Sequence, residues 1–192
     1  MAFVNQASLE ATGFRKLGSN VFISEAARIY GADRIEIGDN TRIDDFCILS
    51  AGEDGIRIGS HVHIACYSAL IGRAAIEMAD FSGLSARVSV YSSSEDYSGA
   101  AMTNPTLPES YRKVDSRRVR IGRHAIIGAG SVILPGVNIG DGSSVGALCL
   151  VTRDLEPWGV YVGSPARRVG NRARDILELE KQFKSEGRGE PL

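Results

Sequence analysis

Between Ile121 and Val151 aliphatic residues recur with an unbroken period of six: Ile121, Ile127, Ile133, Ile139, Val145 and Val151. Glycine directly follows four of them, as Gly122, Gly128, Gly140 and Gly146. A small or β-branched residue stands four places after each of the first five, as Ala125, Ser131, Val137, Ser143 and Cys149. A period of six matches neither an amphipathic helix (about 3.6) nor an alternating strand (2.0). It matches a chain that runs straight for a few residues, turns and repeats, as in a solenoid of hexapeptides.

The pattern describes a three-sided prism. Each hexapeptide makes one short face, and three close a coil of eighteen residues. Ile121 then lies under Ile139, Ile127 under Val145 and Ile133 under Val151. The aliphatic ladder fills the interior, the small residue fits a corner, and glycine is expected to supply the backbone freedom a turn needs. Neighbouring coils pair as parallel strands about 4.8 Å apart.

Charge and composition exclude several functions. Twenty-two basic and 23 acidic residues leave a formal charge of −1, which gives no electrostatic case for a nucleic-acid or membrane-surface partner. No apolar run is long enough to span a membrane and no signal peptide opens the chain, so a cytoplasmic protein is expected. The 3 cysteines lack metal-like spacing, and Cys47 and Cys149 fall in corner slots of the repeat.

Along the chain, residues 1–16 read as an N-terminal cap with a short helix that has Ser8 as its N-cap and is ended by Gly13. Residues 17–170 read as about six coils. Leu17, Val21, Ile23 and Ile29 open the series; Ile37, Ile43 and Leu49, then Ile58, Ile64 and Leu70, then Met78, Leu84 and Val90 continue it. The step from Met78 to Ile121 exceeds one coil and exposes an insertion at about 91–117, without periodicity and with two prolines, Pro105 and Pro108. Long excursions of this kind are commonly functional. Residues 171–192 read as a C-terminal helix and tail, with Asn171 as N-cap, Ile176, Leu179 and Phe183 on one stripe and Gly187 as the stop.

Hexapeptide coils, a long loop after the fourth and a Gly163-Ser-Pro-Ala-Arg167 ending resemble the left-handed β-helix acyltransferases over nearly the whole chain. The resemblance implies an all-β, left-handed parallel β-helix, against the usual right-handed crossover. It also implies a homotrimer with active sites between subunits, and acetyl-CoA or another acyl-CoA as co-substrate with no metal. Finer motifs resemble the enzymes that acylate the amine of dTDP-4-amino-4,6-dideoxyglucose, in O-antigen or capsule biosynthesis. They are Arg42-Ile-Asp-Asp-Phe-Cys-Ile-Leu-Ser50, His63-Ile-Ala, Tyr67, Ile76-Glu-Met, Asp80-Phe, Ser85, Glu95-Asp96, Ser98-Gly99 and Tyr161-Val-Gly163.

Sugar O-acetyltransferases of this fold carry a general-base histidine at the start of the loop, where this chain has Glu95; no histidine occurs from 64 to 123. A hydroxyl needs a base to become a nucleophile, whereas a neutral amine needs mainly orientation and proton removal. Glu95 and Asp96 suit a sugar amine, and the resemblance adds Ser85 to the catalytic set. It also carries acyl-CoA binding to Ala129, Ala147, Thr152, Arg153 and Arg167, and acceptor binding to Tyr67, Arg73 and His63.

Structural readings stand beside each of these. The alternative for Glu95 and Asp96 is a pair of solvated loop acids and for Ser85 a corner serine, while His63 and His124 read as packed or solvated rather than as bases. His124 is expected in an outward slot near the cofactor groove. The basic set Arg112, Lys113, Arg117, Arg118 and Arg120 reads as a solvated face or as a pyrophosphate contact. An O-acetyltransferase on a sugar or polysaccharide is the alternative activity. A non-catalytic trimeric scaffold derived from a γ-carbonic-anhydrase-like metal enzyme is the alternative class, with only His61, His63 and His124 available as imidazole ligands.

Overall fold

The computed structural model describes residues 2–187, so the expected tail at 188–192 lies outside the described residues. Short parallel strands stack into the three faces of a prism. The first face carries Lys16–Leu17, Ile35–Ile37, Ile56–Ile58, Ile76–Met78, Val119–Ile121 and Asn138–Ile139. The second carries Phe22–Ile23, Arg42–Ile43, His63–Ile64, Gly83–Leu84, Ile126–Ile127, Ser144–Val145 and Gly159–Val162. The third carries Arg28–Tyr30, Ile48–Ala51, Ala69–Gly72, Ser89–Tyr91, Val132–Ile133 and Leu150–Val151.

The expected registers are present. Ile121 pairs with Ile139, Ile127 with Val145 and Ile133 with Val151, and all six are buried. Truncating one such side chain to alanine costs about 2–5 kcal/mol in a packed core. Cys47 and Cys149 are buried in their corner slots, and burial pushes the Cys47 thiol up to about 11.

The glycines have a different task from the one expected. The left-handed backbone on the corner between the first and second faces falls not on those four glycines but at Asn20, Asn40, His61, Phe81, His124 and Trp158. On the corner between the second and third faces it falls at Phe46, Tyr67, Arg87 and Leu148. Such angles cost about 1–2 kcal/mol each outside glycine. Stacking from coil to coil offsets this: His61 lies on Phe81 at 4.8 Å, Phe81 on His124 at 5.1 Å, and Phe46 on Tyr67 at 4.8 Å between ring centres. Glycine itself is required by clearance, since a Cβ on Gly122 would lie 2.6 Å from the Asp141 amide nitrogen.

Both ends differ locally from expectation. Helix α1 (Gln6–Ala11) is capped by Asn5, whose side chain accepts from the Ser8 amide, so Ser8 is not the N-cap. Residues Arg167–Asn171 form a strand antiparallel to Gly159–Val162, so Asn171 caps no helix. Helix α2 (Ile176–Ser185) follows, with Asp175 at the N-cap position and Gly187 at φ +63° beyond its end. Its Phe183 meets the His61 ring edge-on at 5.2 Å. Among the described residues no helix is long and apolar enough to cross a membrane.

The insertion is ordered rather than structureless. It leaves the third corner as an antiparallel hairpin, Ser93–Glu95 against Val114–Ser116, with Glu95 opposite Val114 and a 3-10 turn at Glu109–Tyr111.

Candidate active site

The corner between the second and third faces gathers four of the residues singled out by sequence. Coil by coil it reads Ala65-Cys66-Tyr67-Ser68, Ser85-Ala86-Arg87-Val88, Gly128-Ala129-Gly130-Ser131 and Gly146-Ala147-Leu148-Cys149. The Ser85 backbone is fixed: its amide donates to Ile127 O at 2.9 Å and its carbonyl accepts from Ser68 Oγ at 3.1 Å. Its hydroxyl makes no hydrogen bond among the described residues and stays available. Ala129 O accepts from the Leu148 amide at 2.8 Å, which ties adjacent coils together. The Ala129 and Ala147 amides donate to no backbone carbonyl among the described residues. Two idle N–H groups one coil apart form a row able to bind an extended chain of amide carbonyls.

His63 stands on the strand leading into this corner, with its side chain 53% exposed. Its Nε2 is 2.8 Å from Asp44 Oδ2, while Asp44 Oδ1 accepts from Arg42 Nε at 2.7 Å. Burial raises the Asp44 carboxyl, but the bonds from Arg42 and His63 outweigh it and hold it below the usual carboxylate range. Tyr67 is exposed, stacks on Phe46, and has the Arg87 guanidinium 5.8 Å from its ring centre.

Glu95, Asp96 and Arg73 lie at a different corner. Glu95 Oε1 is ion-paired with Arg112 Nη2 in the hairpin. Asp96 accepts from Ser98 Oγ at 2.8 Å and from the Ser98, Ala100 and Ala101 amides, and these bonds hold its carboxyl below the usual range. Its oxygens are engaged in shaping the hairpin loop. Arg73 pairs with Glu109 at 3.0 Å. Thr152 and Arg153 are exposed where the third face ends, and Arg167 is exposed on the closing strand. Within one chain, no described contact joins Glu95 or Asp96 to Ser85, Ala129 or Ala147.

Residues 118–153 match the bacterial transferase hexapeptide model of six repeats. Across its whole length the chain is 46% identical to the dTDP-4-amino-4,6-dideoxy-D-glucose acyltransferase of Escherichia coli, covering 100% of both proteins. The chain belongs to this acyltransferase family. Among solved structures it is similar to AntD, an N-acyltransferase from Bacillus cereus, in complex with dTDP and 3-hydroxybutyryl-CoA. That match has a TM-score of 0.92 at 46% identity, over 97% of this chain and 98% of the other. It is equally similar to a serine-to-alanine variant of AntD in complex with dTDP-4-amino-4,6-dideoxyglucose and coenzyme A. There the TM-score is 0.93 at 45% identity, over 96% of this chain and 98% of the other.

In this acyltransferase several sequence expectations change. His124 does face outward, toward Glu180 of α2, but the helix covers it: it is 4% exposed, stacked on Phe81 and on a different corner from Ala129 and Ala147. Four of the five basic residues are engaged by carboxylates, while Lys113 stays exposed. Arg112 is buried against Glu95, Arg117 binds Asp115 at 2.7 Å, Arg118 approaches Glu77 at 3.6 Å and Arg120 approaches Asp141 at 3.3 Å. Sequence reading missed Asp44 as the partner of His63. The repeat held that signal, because Arg42 pairs with His63 in the next coil and Asp44 is two places on.

Proposed function

We propose that this chain transfers the acyl group of an acyl-CoA to the amine of dTDP-4-amino-4,6-dideoxyglucose. It does so as a cytoplasmic homotrimer, in O-antigen or capsule biosynthesis, with each active site between two protomers. The observation that carries the reading is the separation of two incomplete half-sites. One corner offers the idle Ala129 and Ala147 amides and the idle Ser85 hydroxyl, and another carries Glu95 on a projecting hairpin. A neighbouring copy bringing its hairpin to the first corner completes the set.

Ala129 and Ala147 bind the pantetheine amides, and Arg153 and Arg167 face the phosphates of the acyl-CoA, to which the arginine fork is suited. Thr152 lines the same end. His63, Tyr67 and Arg73 hold the acceptor nucleotide sugar. Glu95 accepts an N–H of the acceptor amine and aims its lone pair at the thioester carbonyl. The C–N bond forms, the carbonyl oxygen gains charge opposite donors near Ala129, and Ser85 supports the reacting centre. The C–S bond then breaks, and the departing thiolate takes the proton that nitrogen loses. No histidine base is needed, and alignment of the two reactants is worth roughly 7–11 kcal/mol. Asp96 serves the site by holding the loop that presents Glu95.

The test is thiol release from acetyl-CoA and 3-hydroxybutyryl-CoA with three acceptors: the dTDP-amino sugar, the matching dTDP-sugar with a hydroxyl at that carbon, and none. Turnover confined to the amine is expected. Turnover with the hydroxyl sugar alone replaces this reading with O-acylation, and none with any acceptor leaves a scaffold.

A further inference from the structure

Glu95 is held from one side. Arg112 Nη2 grips Oε1, whereas Oε2 is buried and has no hydrogen-bond partner among the described residues. Arg112 is deeply placed for an arginine, its side chain 8% exposed and its Nε also buried without a partner. Its backbone is anchored too: the Arg112 amide donates to Glu109 O at 3.0 Å, and the Met102 amide donates to Tyr111 O at 2.9 Å across the loop. A buried charge is tolerated only beside its counter-charge, so each of the two fixes the other. Glu95 lines a groove together with Ser94, Asp96, Tyr97 and residues 113–116. A glutamate's last torsion is broad. A small turn about it presents the idle oxygen to that groove while Arg112 keeps its hold on the other.

We infer that Arg112 is the positioning residue for Glu95: it locks one carboxylate oxygen so that the second alone receives the acceptor amine. This rests on the role proposed above for Glu95. It gives Arg112 a task other than phosphate binding. A carboxylate with two free oxygens must lose rotational freedom when the amine arrives; one already gripped by a buried guanidinium has lost it beforehand.

The experiment compares full-length Glu95→Gln, Arg112→Met, Arg112→Lys and the double variant Glu95→Gln/Arg112→Gln. Arg112→Met is expected to lower kcat about tenfold or more while leaving KM for acyl-CoA within about twofold, and Arg112→Lys to recover part of the loss. The double variant is expected to be no slower than Glu95→Gln, because residues acting as a unit are not additive. Wild-type kcat in Arg112→Met, or losses that multiply in the double variant, overturn the inference. If Arg112→Met does not fold, because the half-buried Glu95 then lacks its counter-charge, the neutral double variant decides by comparison with Glu95→Gln alone. Wild-type turnover in Glu95→Gln instead removes the proposed role of Glu95 itself, so the two failures are distinguishable.

Discussion

His124 donates from Nε2 to the carboxylate of Glu180, 2.7 Å away and 56 residues later in the chain. Arg123 binds the same carboxylate, as does Lys184 Nζ at 2.7 Å, so the charge of Glu180 is already balanced without an imidazolium. His124 Nδ1 is buried with no partner, which suits a lone pair and not an N–H. Burial first, and then Arg123 and Arg172, push this imidazole below its ordinary value, while Asp141 opposes them.

A histidine kept neutral by the fold contributes stability that is present above its unfolded value of about 6.5 and is lost as pH falls below it. The groups facing it are Arg123, Arg172, Lys184, Asp141, Glu180 and the Phe81 ring. The melting temperature is therefore expected to drop between about pH 7.5 and 5.5, and to drop less in His124→Gln. Equal drops in the two proteins would show that His124 does not carry the effect.

Glu180 is the main polar tie between α2 and the prism, with its side chain 9% exposed. Glu180→Gln leaves Arg123, His124 and Lys184 without their shared anion. It is expected to cost about 1–3 kcal/mol and to free the helix before the coils. Hydrogen exchange checks this: amides in α2 should exchange faster while those of Ile127 and Ile133 do not. Uniform acceleration everywhere would mean that the helix and prism open together.

Asp44 joins Arg42 to His63 at the entrance to the candidate acceptor site. Its carboxyl is held below the usual range, so the stability it contributes is present above about pH 4 and is lost as pH falls through the depressed value. Asp44→Asn keeps the volume and removes the charge. Its expected signature at neutral pH is a several-fold rise in KM for the nucleotide sugar with kcat and KM for acyl-CoA little changed. A fall in kcat with KM intact would place His63 at the chemistry rather than at acceptor binding.

The inward ladder was legible because every coil imposes the same demand: Ile121 to Val151 must be apolar or the interior opens to water. The corners were less legible. His61, Phe81 and His124 occupy left-handed angles with each ring resting on the next, a relation between residues in adjacent coils that local propensity does not encode. The hairpin went unread since Ser93–Glu95 and Val114–Ser116 lack an alternating apolar pattern, and its pairing buries the Glu95–Arg112 ion pair instead. The closing strand Arg167–Asn171 is exposed throughout and is held by backbone pairing with Gly159–Val162, so its side chains gave no strand signal. Of the candidate site, Tyr67, Ser85, Ala129 and Ala147 fell on one corner because the repeat itself counts them there.

Gly128 sits where that repeat meets the site. Its φ is not in the left-handed region, so backbone strain does not explain the glycine. Space does: a Cβ there would lie 2.5 Å from the Ala147 amide nitrogen and 2.8 Å from Gly146 O, both backbone atoms that move only if the coils part. Gly128→Ala is therefore expected to cost about 1–3 kcal/mol, as overpacking does. It should also raise KM for acyl-CoA, since it displaces the Ala129 and Ala147 amides from one another. Gly170→Ala is the control, because a Cβ there meets nothing within 4 Å. Thermal melts and acyl-CoA titrations of the two variants separate the effects. If Gly128→Ala behaves like Gly170→Ala in both, close stacking at this corner is not what the acyl-CoA site depends on. If it melts lower but keeps its KM, the corner is structural and the acyl-CoA amides bind elsewhere.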